Sequence, residues 1–168
     1  MTRESVYLDW LRDAHAMEKH GETLLKVAMD RLDSGSSIGR DISHYLDQGR
    51  EQQLQVKEVL KCHDNSWSAL KESLGRMSVV GQAASDMLRD EQGARTAVSV
   101  YVFCSYKVAT YTSLIAAARQ ADDSEGVDIF QRILQQEAHM ATRLLADLPE
   151  AANESIDLLT DSEASSAV

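Results

Sequence analysis

The stretch Ser99–Arg119, SVYVFCSYKVATYTSLIAAAR, constrains this chain more than any other. It is apolar, alanine-rich and free of glycine and proline, which suits a long buried helix. Val100, Tyr101, Cys104, Val108, Tyr111, Ile115 and Ala118 recur at steps of three and four and so share one face. Lys107 interrupts that face, one turn from both Cys104 and Tyr111. A lysine in a core stripe is costly unless its ammonium meets a carboxylate. The chain must therefore bring an acid to it.

Three more helices of similar length are predicted around this one. The first spans about Arg3–Leu32, with Tyr7, Trp10, Leu11, Ala14, Met17, Gly21, Leu25, Ala28 and Leu32 as its apolar stripe and Glu18 at the stripe's edge. His15 and His20 project elsewhere and are expected at the surface. Asp33–Ser37, DSGSS, is a turn by composition. The second helix runs from about Ile38 to Cys62, with Ile42, Tyr45, Gly49, Gln52, Val56 and Leu60 inward. Its middle is polar, since Gln48, Gly49 and Gln52 stand where a plain bundle places leucines. Between it and the lysine-bearing helix, Ser66 or Ser68 caps a short helix through Leu74, and Met77–Leu88 forms another. After the turn Ala121–Gly126, a last helix covers about Val127–Ala146 and ends at Pro149. Phe130, Ile133, Leu134, Met140, Ala141, Leu144 and Leu148 form its stripe, with Glu137 in the middle.

The expected class is all-α: a four-helix bundle over residues 1–150 with short extra helices in the crossover between its second and third long helices. Residues 151–168 are expected as an acidic, partly disordered tail, with Ile156, Leu158 and Leu159 docking loosely and Asp161–Val168 disordered.

Charge narrows the function classes. A formal net charge of −10 and a pI near 4.9 repel phosphate backbones and anionic lipid, so no nucleic-acid partner is expected. The charged, amphipathic N-terminus is not a secretory signal, and no apolar run is long enough to span a membrane. Cys62 and Cys104 lie outside any CxxC spacing and fit a reducing cytoplasm.

Glu18 and Glu137 are stripe carboxylates on two different helices, and bundle interiors that gather glutamates from several helices make carboxylate-bridged di-metal sites. Such ions need several carboxylate and imidazole ligands. Glu137 is followed three residues later by Met140 rather than histidine. The second helix offers Gln48 and Gln52, weak ligands. The third offers Cys104 and Lys107, and the lysine is hostile to a cation. By ligand counting the site is incomplete.

YLDWLRDAHAMEK (Tyr7–Lys19), KESLGRMSVVGQ (Lys71–Gln82), YVFCSYKVATYTSLIAAA (Tyr101–Ala118) and ILQQEAHMA (Ile133–Ala141) resemble the YciE/YciF family of ferritin-like bacterial proteins over roughly residues 3–150. The resemblance implies a ferritin-like bundle, often paired as a dimer and linked to stress responses, without a settled activity. It also implies acidic residues on all four helices facing one another as a di-metal site. Glu18 and Glu137 match that pattern. Gln48 stands where a glutamate is usual, in an E-T-x-x-Q motif that here reads QGREQ. Cys104 and Lys107 stand where the third segment usually reads E-x-x-E, and Gln136 replaces the first glutamate of the pair before Glu137.

Three functions are weighed. The favoured one is a non-catalytic, stress-associated scaffold or interaction protein. It is expected as a cytoplasmic homodimer with no cofactor and an unknown protein partner, with the ammonium of Lys107 neutralising Glu18, Glu137 or both. The second is a di-iron or other divalent-metal oxidase-like or peroxidase-like protein built on Glu18 and Glu137, with His44 or His139 as relocated ligands. The third is a DNA-protecting ferritin relative, which the charge disfavours.

Overall fold

The computed structural model describes residues 2–63 and 93–166, which form four long helices with no strand among them. They are α1 (Arg3–Arg31), α2 (Ser37–His63), α3 (Ala94–Gln120) and α4 (Ser124–Ser166). α1 packs on α2, α2 on α4, α4 on α3 and α3 on α1, which closes the ring of a bundle. The short helices expected between Ser66 and Leu88 lie outside the described residues, as does the segment Lys71–Gln82.

Local chemistry accounts for the ends. Thr2 and Ser5 form a reciprocal capping box at the start of α1. The turn after α1 is built on Asp33, whose Oδ1 accepts the Gly35 N–H at 2.9 Å and whose carbonyl accepts the Ser36 hydroxyl at 2.7 Å. Ser36 Oγ then accepts the Gly39 N–H at 3.1 Å, which starts α2. Between α3 and α4, Asp123 Oδ1 accepts the Gly126 N–H at 2.8 Å. Its Oδ2 accepts from Tyr7 Oη at 2.6 Å and lies 2.9 Å from His63 Nε2, so one carboxylate ties α1, the end of α2 and the last turn together.

The packed faces follow the sequence pattern with several differences on α1 and α3, where Tyr101 and Val108 are only half-buried. Tyr7, Leu11, Ala14, Met17, Gly21, Leu25 and Ala28 are buried as expected, but Trp10 is 43% exposed. It sits one position off the central row and covers the side of α3 near Tyr106 and Ser113. His15 is not at the surface: it is 3% exposed, because α1 buries Ala14 through Glu18 without a break where it meets both neighbours. Burial, reinforced by Lys19 and Lys57, pushes the His15 pKa down to about 4. Phe103 of α3 is also buried, with its ring edge seated against the backbone of Gly21. A Cβ on Gly21 would lie 2.6 Å from Phe103 Cζ, so the glycine lets α1 and α3 approach.

The last helix differs most. Pro149 does not stop it; α4 runs through the proline to Ser166. A helical proline costs about 3 kcal/mol, mainly through the lost bond to the carbonyl four residues back and the ring's clash with it. That carbonyl belongs to Leu145, on the exposed side of the helix, where water can satisfy it. Beyond the proline α4 stays in contact with the bundle. Ala151 is buried, and Ser155 Oγ accepts the first amide of α3, Ala94 N–H, at 2.7 Å. Ile156, Leu158 and Leu159 are exposed rather than docked. Among the described residues no helix is long and apolar enough to cross a membrane.

Candidate functional site

Lys107 points into the middle of the bundle and is 1% exposed. Its ammonium has three N–H donors, and three oxygens from three other helices receive them. Nζ lies 2.9 Å from Glu18 Oε2 on α1, 3.1 Å from Glu137 Oε1 on α4 and 2.7 Å from Gln52 Oε1 on α2. Each helix of the ring supplies one group to this centre. The outward oxygens of the two carboxylates are also occupied. Tyr111 Oη donates to Glu18 Oε1, and Tyr45 Oη donates to Glu137 Oε2. The rings of Tyr45 and Phe103 stand 5.3 and 5.9 Å from Nζ and add cation–π attraction.

A second set of bonds orients the first. Gln52 can accept from Lys107 because its Nε2 donates to Gln136 Oε1 at 2.9 Å, which fixes the amide's direction. Gln48 Nε2 reaches Glu137 Oε1 at 3.5 Å. Cys104 Sγ, one turn before Lys107, lies 3.4 Å from the Glu137 carbonyl oxygen and 3.5 Å from Oε2.

Electrostatics decide what these groups do. Burial pulls the Lys107 pKa down, but Glu18 and Glu137 more than offset it, so the ammonium is held charged. Burial pushes Glu18 up, with Glu137 adding and Lys107 and Tyr111 opposing. Burial and the adjacent carboxylates hold Tyr45 and Tyr111 well above the usual phenol range, so both remain hydrogen-bond donors. The Cys104 thiol is pushed up to about 12 by burial and then by Glu137. A thiol held protonated is a poor nucleophile and a poor metal ligand.

The raised pKa of Glu18 carries a testable sign. A carboxyl whose folded pKa lies above its unfolded one stabilises most below the unfolded value of about 4.3 and loses that contribution as pH rises through the folded pKa. Glu18→Gln is therefore expected to stay within about 1 kcal/mol of wild type at pH 7, because the amide keeps the acceptor for Lys107 and lowers the negative charge. Its standing relative to wild type should worsen as the pH falls toward 4.5. Urea denaturation at several pH values checks this, and a gap that moves the other way refutes it.

The ferritin-like pattern implies a divalent metal, and the donor set here does not fit one. The four helices present two carboxylates, one amide oxygen and an ammonium, and the ammonium lies between the carboxylates. Among the described residues, no group of three or more His, Cys, Asp or Glu side chains is placed to hold a metal ion. His44 and His139, the proposed replacement ligands, are both exposed. Met140 is buried packing, and Gln48 and Gln52 act as hydrogen-bonding amides. Cys62 is exposed while Cys104 is buried, and both are free thiols.

The sequence pattern alone marked Lys107, Glu18 and Glu137. It placed Tyr45 and Tyr111 on the inner faces and offered tyrosine hydroxyls as partners for the two carboxylates, but not which tyrosine meets which. The available signal was register: Tyr111 lies four residues after Lys107, and Tyr45 lies seven before Gln52.

Known proteins agree with this architecture. A Xanthomonas campestris protein of known structure superposes with a TM-score of 0.76 at 23% identity, over 95% of this chain and 99% of its own. The Escherichia coli stress protein YciF superposes with a TM-score of 0.72 at 16% identity, over 91% of this chain and 98% of its own. These likenesses establish the ferritin-like fold. Residues 2–157 match the family described as "Domain of unknown function (DUF892)". That match covers nearly the whole sequence, and the chain belongs to this family, whose members of YciE/YciF type share its helical bundle.

Proposed function

We propose that this protein is a non-catalytic, stress-associated scaffold or interaction protein, a ferritin-like bundle whose di-metal chemistry has been replaced by an internal ion pair. The observation that carries the reading is the position of Lys107 Nζ, within 3.1 Å of both Glu18 and Glu137 and one amide oxygen. A divalent cation at the same place would meet an ammonium at contact distance, and repulsion in a dry core is severe. The association with stress rests on the likeness to the Escherichia coli stress protein. The functional product is a stable body whose surface does the work.

In this reading the partner includes a second copy of the chain, in the cytoplasm. α3 has no acidic residue from Ala94 to Gln120, in a chain of net charge −10. Val98 and Val102 are exposed along it, and Trp10 of α1 stands beside Tyr106 and Ser113. With no carboxylate on α3 itself and only Asp13 of α1 beside the Trp10 groove, this side lets two acidic copies approach with little repulsion.

Ferrous loading under anaerobic conditions, followed by desalting and elemental analysis of untagged protein, tests the reading. Less than about a tenth of an equivalent of iron is expected, since the site lacks the ligands that offset dehydration. Near-stoichiometric iron that disappears in a Glu18→Ala, Glu137→Ala variant would overturn it in favour of a metal-dependent oxidase. A single-chain mass on sedimentation of the same sample would remove the pairing.

A further inference from the structure

In the centre of this bundle, Lys107 behaves less like a side chain that needs a partner than like a ligand held in a prepared seat. Three oxygens converge on Nζ from three helices at 2.7, 2.9 and 3.1 Å. Their remaining lone pairs and orientations are set by groups that do not touch the ammonium. Tyr111 and Tyr45 hold the far oxygens of Glu18 and Glu137, and Gln136 holds the far end of the Gln52 amide. All four groups of the inner set are nearly fully buried. The seat is therefore shaped independently of the stem that fills it.

We infer that Lys107 is a tethered cation in a monovalent-cation seat, and that cutting its stem leaves a site selective for a small primary ammonium ion. The inference rests on the proposed function only in taking the centre to be free of divalent metal. Size supports the ion class. The contacts around Nζ fall in the range of N–H···O hydrogen bonds, about 2.7–3.2 Å. They are too long for zinc or magnesium, which bind oxygen at about 2.0–2.2 Å, and for calcium at about 2.3–2.6 Å. Contracting onto a smaller ion would pull Glu18 and Glu137 away from Tyr111 and Tyr45. Direction supports it as well, since three acceptors meet three N–H donors and the Tyr45 and Phe103 rings fill the flanks. An ammonium attached to the chain also needs no supply from solution, so assembly of this core does not depend on metal availability.

The test uses Lys107→Ala in the full-length protein, which removes Cγ, Cδ, Cε and Nζ. Those atoms are the skeleton of n-propylammonium, so propylammonium chloride is the probe. The controls are choline chloride at equal ionic strength, which has no N–H donor, and Lys107→Met, which leaves no room. Each tenfold rise in propylammonium above its dissociation constant is expected to lift the melting midpoint of Lys107→Ala by about 3–5 °C. Wild type and Lys107→Met should respond equally to propylammonium and choline. Equal responses of Lys107→Ala to the two salts would overturn the inference. So would stabilisation of that variant by ferrous or zinc ion and not by propylammonium. If Lys107→Ala is not folded in any salt, nitrogen-15 NMR of wild type decides. A slowly exchanging three-proton signal from the Lys107 ammonium supports the seat, and a rapidly exchanging one refutes it. Iron retention by wild type is a separate measurement, so failure of the scaffold reading is distinguishable from failure of the seat.

Discussion

Lys107→Met is expected to lower the unfolding free energy by about 3–5 kcal/mol, the usual cost of removing one partner from a buried ion pair. Methionine keeps most of the volume, so little of the loss comes from a cavity. What remains is charge. Glu18 and Glu137 would face each other in a dry core, and Gln52 Oε1 would lose its donor. One or both carboxyls would then take up a proton, which limits the cost but does not remove it. Adding Glu18→Gln and Glu137→Gln to Lys107→Met should recover a large part of the loss. The amides carry no charge and still offer oxygens to Tyr111 and Tyr45. Urea denaturation at pH 7 of wild type, Lys107→Met, the Glu18→Gln, Glu137→Gln double variant and the triple variant measures the coupling. A Lys107→Met curve within about 0.5 kcal/mol of wild type would mean that the ion pair is energetically idle, since uninvolved sites vary by that much.

Gly39→Ala is expected to cost about 3 kcal/mol, at the upper end of what overpacking does. A Cβ on Gly39 would stand 2.1 Å from the carbonyl oxygen of Asp33 and 3.1 Å from Ser36 Oγ. The first of these is backbone and cannot swing away. It is also the oxygen that accepts the Ser36 hydroxyl, so relieving the clash breaks the turn that starts α2. The site feels this, because α2 carries Tyr45, Gln48 and Gln52 and a shift of its first turn moves all three. Gly49→Ala is the internal comparison. Nothing lies within 4 Å of a Cβ there, and replacing a mid-helix glycine by alanine should stabilise by up to about 1 kcal/mol. Equal and small effects at the two positions would show that the α1–α2 turn re-forms without Gly39.

The two substitutions probe different kinds of information. Helix boundaries were legible because they depend on neighbours in the chain. Arg3–Arg31 and Ser37–His63 end within a residue of where apolar periodicity and turn residues place them. The ferritin-like class was legible for the same reason, aided by four segments that resemble a family to which the chain does belong. Pro149 shows the limit of local reasoning. Its penalty is real, yet an exposed Leu145 carbonyl, a buried Ala151 and the Ser155 bond to α3 keep the helix going. His15 and Trp10 show another limit, since a stripe centred on one row does not give the width of the buried arc.

Helical periodicity was enough to put a lysine and two glutamates on inner faces of a bundle, because a helix repeats its face every 3.6 residues. It took the packed bundle to show that both carboxylates meet the ammonium, that Gln52 completes its third bond, and that Tyr111 and Tyr45 hold the outer oxygens. Those contacts depend on the rotation of each helix about its own axis and on its slide past its neighbours. Both quantities are set by close packing of residues from all four helices at once, and no single helix's periodicity contains them.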